Sequence, residues 1–319
     1  MIHVFYIDPL AKLNIKKDSS LMMALSLKNR EKKAYLLFEE DFYVSNTLET
    51  KLKVYKFEGK FEDDGYYINN FELSESFDLQ IDKNVTIHMR IDPPYDQRYQ
   101  RYLWMLDYLS KQTSAHILNH PTGIMKHNEK LSAFGLKNNV ESFVGASLGA
   151  FNKFIDSQRA KSVTDFILKP LDLYSGIGVK KLSINDNLEK EFLDKVEEFG
   201  GAIIAQPFLK EVLNGEYRSI YFDAQLLGSI IKKPKEGEYL TNIAQGAMFE
   251  KVELPAHLKK ECDQVSKELL KDGIRFIAFD LLGNCITEIN VTCPGLLVEV
   301  SYAHNKNFSD LIADHIIDS

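Results

Sequence analysis

Residues 280–294 read DLLGNCITEINVTCP, and Asp280, Glu288 and Asn290 place three oxygen-bearing side chains in what otherwise looks like a core hairpin. Residues two apart in a strand share a face, so Glu288 and Asn290 point together. Gly283-Asn284 signals the turn. A strict two-residue turn would set Asp280 opposite Thr287 and face it away from Glu288; a three-residue loop over 283–285, or a bulge, sets the carboxylates opposite each other. Unpartnered carboxylates removed from water are strongly destabilising, so something positive is expected between them. Hard oxygen donors suit Mg²⁺, which completes its octahedron with water and substrate phosphates. No His or Cys has zinc-ligand spacing here. The competing reading leaves Asp280 and Glu288 on a solvent-facing edge.

Three further segments carry cations suited to anionic ligands. FILKPLDLYSGIGV puts Lys169 at the end of an apolar strand, before a turn containing Gly176 and Gly178. There a lysine can hold a phosphate while small residues admit backbone N–H groups, although neither standard Gly-rich phosphate pattern is present. HNEKLSAF supplies Lys130 on a helix expected over 127–134 and opened by Asn128, where a solvated lysine is the plainer explanation. RIDPPYD offers Arg90 at the C-terminal end of a parallel strand, where open α/β sheets bind ligands. Its fork suits a carboxylate, in competition with an ion pair to Asp92 or Asp96.

These residues need a scaffold, and the hydrophobic pattern describes an α/β one. Apolar runs at 3–7, 34–38, 85–90 and 115–118 alternate with helical stretches at 20–31 and 98–111, the signature of a parallel layer. Residues 39–84 are acidic, aromatic-rich and weakly patterned, and read as peripheral strands and loops. Further on, the pattern predicts helices near 148–157, 186–199, 256–271 and 307–317 and strands at 165–170 and 202–206. It also predicts a hairpin turning at Asp223-Ala224 and a loop over 235–250. Asp18 and Ser19 before LMMALSL fit a helix N-cap, Trp104 reads as core, and the histidines form no readable constellation.

Composition narrows the function classes. With 319 residues, 45% of them apolar, the chain can bury a sizeable core and divide into lobes. A net charge of -7 and a pI near 5.7 argue against nucleic acid as a partner. Three scattered cysteines make no disulfide framework and suit a reducing compartment. MIHVFYIDPLA reads as a first strand and not a signal peptide, and no apolar run reaches the roughly 20 residues of a membrane span, so no membrane partner and a cytoplasmic setting are expected.

Taken jointly, NIKKDSS at 14–20, RIDPP at 90–94, NEKL at 128–131, ILKPLD at 167–172, FDLLGN at 279–284 and TEINVTCP at 287–294 resemble the prokaryotic glutathione synthetases, which are ATP-grasp ligases. The resemblance implies an N-terminal α/β domain over 1–122, a small central lid domain over 123–204 and a C-terminal domain over 205–319, with ATP between the last two. It implies that Lys130 and Lys169 contact ATP phosphates, that Gln206 borders the adenine, and that Asp280, Glu288 and Asn290 hold magnesium. Arg218 is placed near the reacting phosphate and acyl group, and Arg90 with the segment from Asn290 through Cys293 to Pro294 in the peptide-substrate pocket.

The implied reaction activates a dipeptide carboxylate as an acyl phosphate and transfers it to an amine such as glycine; family members often form homo-oligomers. The chain also departs from the family. Leu173, Tyr174 and Ser175 thin the Gly-rich loop; Leu240-Thr241-Asn242 and Gly246-Ala247 replace an Arg-Gly-Asn and a Gly-Gly pair in the covering loop. Lys232 stands for an arginine and Cys293 for a serine. An ATP-grasp ligase with another donor or acceptor, and a nucleotide-binding protein without turnover, are the alternatives.

Overall fold

Strands covered on both faces read as unbroken apolar runs. That is the character of β1 (Ile2–Ile7), where five of six residues are buried. The computed structural model describes residues 1–47, 49–243 and 246–318. After β1 come α1 (Ser19–Asn29), β2 (Lys33–Leu37), β3 (Lys51–Phe61), β4 (Ile68–Gln80), β5 (Val85–Arg90), α2 (Gln97–Thr113), β6 (His116–Leu118) and α3 (Pro121–Lys126). The six strands form one sheet in the order β4-β3-β2-β1-β5-β6. Strands β2, β1, β5 and β6 are parallel, and β3 and β4 are an antiparallel extension. The weakly patterned stretch is therefore a long hairpin, whose β4 keeps mostly exposed or half-exposed side chains because it is an edge.

Asp18 caps α1, its side chain accepting from the Leu21 N–H at 2.8 Å. On α2, Tyr99, Tyr102, Leu103, Leu106 and Leu109 make the buried face, following the helical period. Trp104 falls on the opposite face and is 60% exposed, which corrects its expected place in the core.

The middle of the chain builds β7 (Phe143–Gly145), α4 (Leu148–Arg159), β8 (Asp165–Pro170), β9 (Lys180–Ser183), α5 (Leu188–Glu198) and β10 (Ile203–Pro207). The four strands make an antiparallel sheet, β7-β10-β8-β9, over a separate core in which Phe151 and Phe192 stack at 4.2 Å. The C-terminal part contributes β11 (Glu216–Phe222), β12 (Gln225–Lys233), β13 (Met248–Lys251), α6 (Ala256–Lys271), β14 (Phe276–Leu282), β15 (Cys285–Asn290), α7 (Leu297–His304) and α8 (Phe308–Asp318). Its sheet runs β13-β12-β11-β14-β15. Asp223 and Ala224 both take positive φ in the β11–β12 turn, as a tight hairpin requires. Helix α7 was not expected from the sequence: its first five residues are all buried and the last three half-buried, so it lacks a polar stripe. Among the described residues no helix is long and apolar enough to cross a membrane.

The N-terminal and C-terminal sheets share two hydrophobic cores, and Asn119 joins them by polar bonds. Its Nδ2 donates to the carbonyls of Phe276 (2.7 Å) and Val291 (2.9 Å), while Oδ1 accepts from the N–H groups of Arg275 (2.9 Å) and Phe276 (2.8 Å). Asn119 thereby holds the start of β14 and the segment after β15. Because each buried group left without a partner costs about 1–3 kcal/mol, Asn119→Ala is expected to lower the unfolding free energy by about 3 kcal/mol or more in urea titration. A loss below about 1 kcal/mol would show that these groups find other partners.

Candidate functional site

The β14–β15 hairpin sets the oxygen donors in register. Leu282 pairs with Cys285 across a two-residue Gly283-Asn284 turn, so the longer loop does not form. The register then slips by one residue, and Asp280 pairs with Glu288. Thr287 is the extra residue of this bulge, and its hydroxyl donates to the Asp280 carbonyl at 3.0 Å. Gly283 takes a φ of 56° in the turn, and an added Cβ would come within 2.9 Å of the Glu211 side chain.

Neighbouring strands surround Asp280 with cations. Arg218, its cross-strand partner on β11, donates through Nε (2.8 Å) and Nη2 (2.5 Å) to the two carboxylate oxygens. From β12 the Lys232 ammonium donates to Asp280 Oδ1 at 3.0 Å and lies 2.6 Å from Glu216 Oε2. Burial opposes ionisation of Asp280, yet the charges and hydrogen bonds of Arg218 and Lys232 hold its carboxyl well below the usual range. Burial likewise acts against the charge on Arg218, and Asp280 outweighs it, so the guanidinium pKa is raised. The solvent-facing reading of Asp280 is excluded by its burial.

Lys169 lies on β8 of the central sheet, and Lys130 comes from the segment after α3, whose Glu129 carbonyl accepts from the Ile289 N–H of β15. The expected helix over 127–134 is instead a single 3-10 turn at Leu131–Ala133. The N-cap of this turn is Lys130 and not Asn128, although the Asn128 side chain accepts from the N–H groups of Lys130 (3.1 Å) and Leu131 (2.9 Å) just before it. This short turn buries Lys130, whose Nζ donates to the Leu173 carbonyl at 2.6 Å and lies 3.1 Å from Glu288 Oε1. The Lys169 pKa is lowered by burial; Glu288 counteracts this, and the Lys130 charge adds to it. Two neighbouring lysines, one with its charge disfavoured, would both gain from a phosphate between them. Gly176 and Gly178 take φ of 75° and 74° in the adjoining loop, where a Cβ on Gly178 would lie 2.5 Å from the Phe199 ring.

A cavity of about 400 Å³ brings together Lys130, Lys169, Gly176, Gln206, Arg218, Asn242, Asp280, Glu288, Asn290 and Cys293. Gln206, near the end of β10, donates to Ser142 Oγ at 2.7 Å. Asn242 donates to the Ser175 carbonyl at 3.2 Å, joining the covering segment to the Gly-containing loop. The Cys293 thiol donates to the Arg90 carbonyl at 3.5 Å, and burial pushes its pKa well above the ordinary thiol value. Arg90 is set behind the cavity wall: it donates to Ser20 Oγ (2.9 Å) and the Pro294 carbonyl (2.8 Å) and stacks over Phe276. Asp96, one of its candidate partners, caps α2.

Sequence reasoning passed over Glu129, Glu216 and Thr241. Glu129 Oε1 accepts from the N–H groups of Val291 (2.8 Å) and Thr292 (2.9 Å) and from the Thr292 hydroxyl (2.8 Å). Burial and the nearby Glu288 charge raise its pKa. Its position inside NEKL was the available signal, but nothing local marks a carboxylate whose partners lie over 160 residues away.

The donor set suits a hard divalent cation. Two carboxylates and an amide from one hairpin face the cavity; Asn290 Nδ2 donates to the Ala278 carbonyl and to Asp280 Oδ2, both at 3.1 Å, which leaves Oδ1 as the oxygen a cation would use. Among the described residues no group of three or more His, Cys, Asp or Glu is arranged to hold a metal.

Known proteins resemble this chain over nearly its whole length. The family model for the prokaryotic glutathione synthetase N-terminal domain matches residues 1–125, and that for the family's ATP-grasp domain matches residues 129–305. The glutathione synthetase of Wigglesworthia glossinidia brevipalpis is 26% identical over 311 residues, covering 97% of this chain and 95% of its own. Among solved structures, the D-cycloserine synthetase DcsG superposes with a TM-score of 0.68 at 14% identity, over 98% of this chain and 99% of that one. The ATP-grasp ligase PsnB, complexed with a minimal precursor, gives 0.62 at 14% identity, over 99% of both chains. At such identities the two structures speak for the fold alone.

Proposed function

Because the chain belongs to the prokaryotic glutathione synthetases, we propose that it joins γ-glutamylcysteine to glycine at the expense of ATP. It is an ATP-dependent carbon–nitrogen ligase with the ATP-grasp fold. The observation that carries the finer reading is the pairing of Asp280 with Glu288 in one cleft with Lys130, Lys169 and Arg218. We assign residues 1–122 to donor binding, 123–204 to the lid and 205–319 to the lobe that holds the metal, in a cytoplasmic setting.

In this reading a donor carboxylate oxygen attacks the γ-phosphorus, the bond to the β-phosphate oxygen breaks, and ADP leaves. The amine nitrogen then adds to the acyl carbon, loses a proton, and expels phosphate. Lys130 and Lys169 balance the charge on the phosphates, and the Arg218 guanidinium orients toward the transferring group. Gln206 borders the base. Mg²⁺ bound by Asp280, Glu288 and Asn290 would supply Lewis-acid neutralisation of phosphate oxygens. No protein nucleophile is needed.

Phosphate release measured with ATP, Mg²⁺, γ-glutamylcysteine and glycine tests the assignment. Release that needs both substrates, with glutathione formed in step, is the expected result. Release only with other carboxylates or amines would move the chain to a different donor or acceptor, a reading that the arginine-free covering segment favours. Nucleotide binding without turnover with any pair would remove the enzyme assignment.

A further inference from the structure

The segment 239–243, YLTNI, carries no charge, yet it lies across a cleft full of charges. Its first two residues are held by ordinary contacts: the Tyr239 ring meets Phe208 edge-on at 5.9 Å, and Leu240 packs beside Gly176. Thr241 differs, because it reaches the carboxylates. Its side chain is buried, and Oγ1 donates to Glu216 Oε2 at 2.5 Å. That same oxygen lies 2.6 Å from Lys232 Nζ, which also donates to Asp280 Oδ1 at 3.0 Å. Glu216 and Lys232 are cross-strand partners on β11 and β12, and Arg218 and Asp280 are partners on β11 and β14. The anchor for Thr241 is thus rigid sheet, and the chain of contacts ends on a carboxylate at the reaction centre.

We propose that Thr241 is a positioning residue that latches the 239–243 segment onto Glu216, Lys232 and Asp280 and so keeps water from the activated acyl group until the amine attacks. The inference rests on the ligase reading above. Without the latch, a water oxygen adds to the acyl carbon, the carbon–oxygen bond to phosphate breaks, and the donor carboxylate and inorganic phosphate are released. ATP is then spent with no amide formed. The Lys232 ammonium, 2.6 Å from the same Glu216 oxygen, helps hold that side chain toward the Thr241 hydroxyl, so a covering segment without arginine still has a partner on the sheet.

Thr241→Val, which keeps the branched shape and removes the hydroxyl, tests this in the full-length protein. Phosphate and amide are quantified together with ATP, Mg²⁺, γ-glutamylcysteine and glycine. The parent is expected to release about one phosphate per amide, and the variant at least about twice that, with Thr241→Ser returning to the parent value. Hydrogen exchange over 239–243 with ADP bound is the second readout, expected to be about tenfold faster in Thr241→Val and restored in Thr241→Ser. An unchanged phosphate-to-amide ratio in Thr241→Val overturns the latch, even where turnover or melting temperature falls. If the parent forms no amide from any pair tried, the ligase reading fails, and parental exchange rates in the variant would then overturn the latch independently.

Discussion

Asp280→Asn is expected to lower ligation by about a thousandfold and to cost about 3 kcal/mol of stability. Both effects follow from its surroundings. The Arg218 guanidinium and the Lys232 ammonium bond directly to this carboxylate in a buried position, so neutralising it leaves two cations under-compensated. Removing one partner of a buried ion pair is destabilising in a way that removing both is not. The double variant Asp280→Asn with Lys232→Met, which leaves one cation and one anion at Arg218 and Glu216, should therefore recover part of the stability while ligation stays lost. Urea titration and amide formation, measured on the parent and both variants, separate the two roles. Parental ligation in Asp280→Asn would end its assignment to the metal site, whatever its stability.

Glu288→Gln should leave stability nearly unchanged and do nearly the same to activity. The Glu288 side chain is about a quarter exposed, and its buried partner Lys130 keeps its bond to the Leu173 carbonyl and can still donate to the amide oxygen, so the loss is smaller than at the fully buried Asp280. The melting temperature is expected to move by about 2 °C at most. Ligation should fall by about a hundredfold or more, with the magnesium concentration giving half-maximal phosphate release rising at least about tenfold. Parental rates and an unmoved magnesium midpoint would remove Glu288 from the ligand set. A large fall in melting temperature would instead mean that Glu288 chiefly neutralises Lys130 and Lys169.

The sequence by itself determined those parts of this protein whose causes are local. The buried parallel strands β1 and β5, the N-cap at Asp18, the Asp223-Ala224 turn and the amphipathic α6 each carry their signal within a few residues. So do the chemical types at Lys169, Asp280, Glu288 and Asn290, which the family resemblance joined into one site.

Tertiary structure decided the rest. Whether Asp280 faces Glu288 depended on a bulge at Thr287, since a one-residue slip in pairing turns every later side chain to the other face. Lys130 became a buried ligand of Glu288 and Leu173 because its expected helix is only a short turn. Glu129, Glu216 and Thr241 joined the site through partners distant in the chain, and α7 stayed hidden because a helix with no exposed face has no polar stripe. Periodicity reports which face of an element is dry. Which charges then share that dry space depends on contacts between strands that no local pattern encodes.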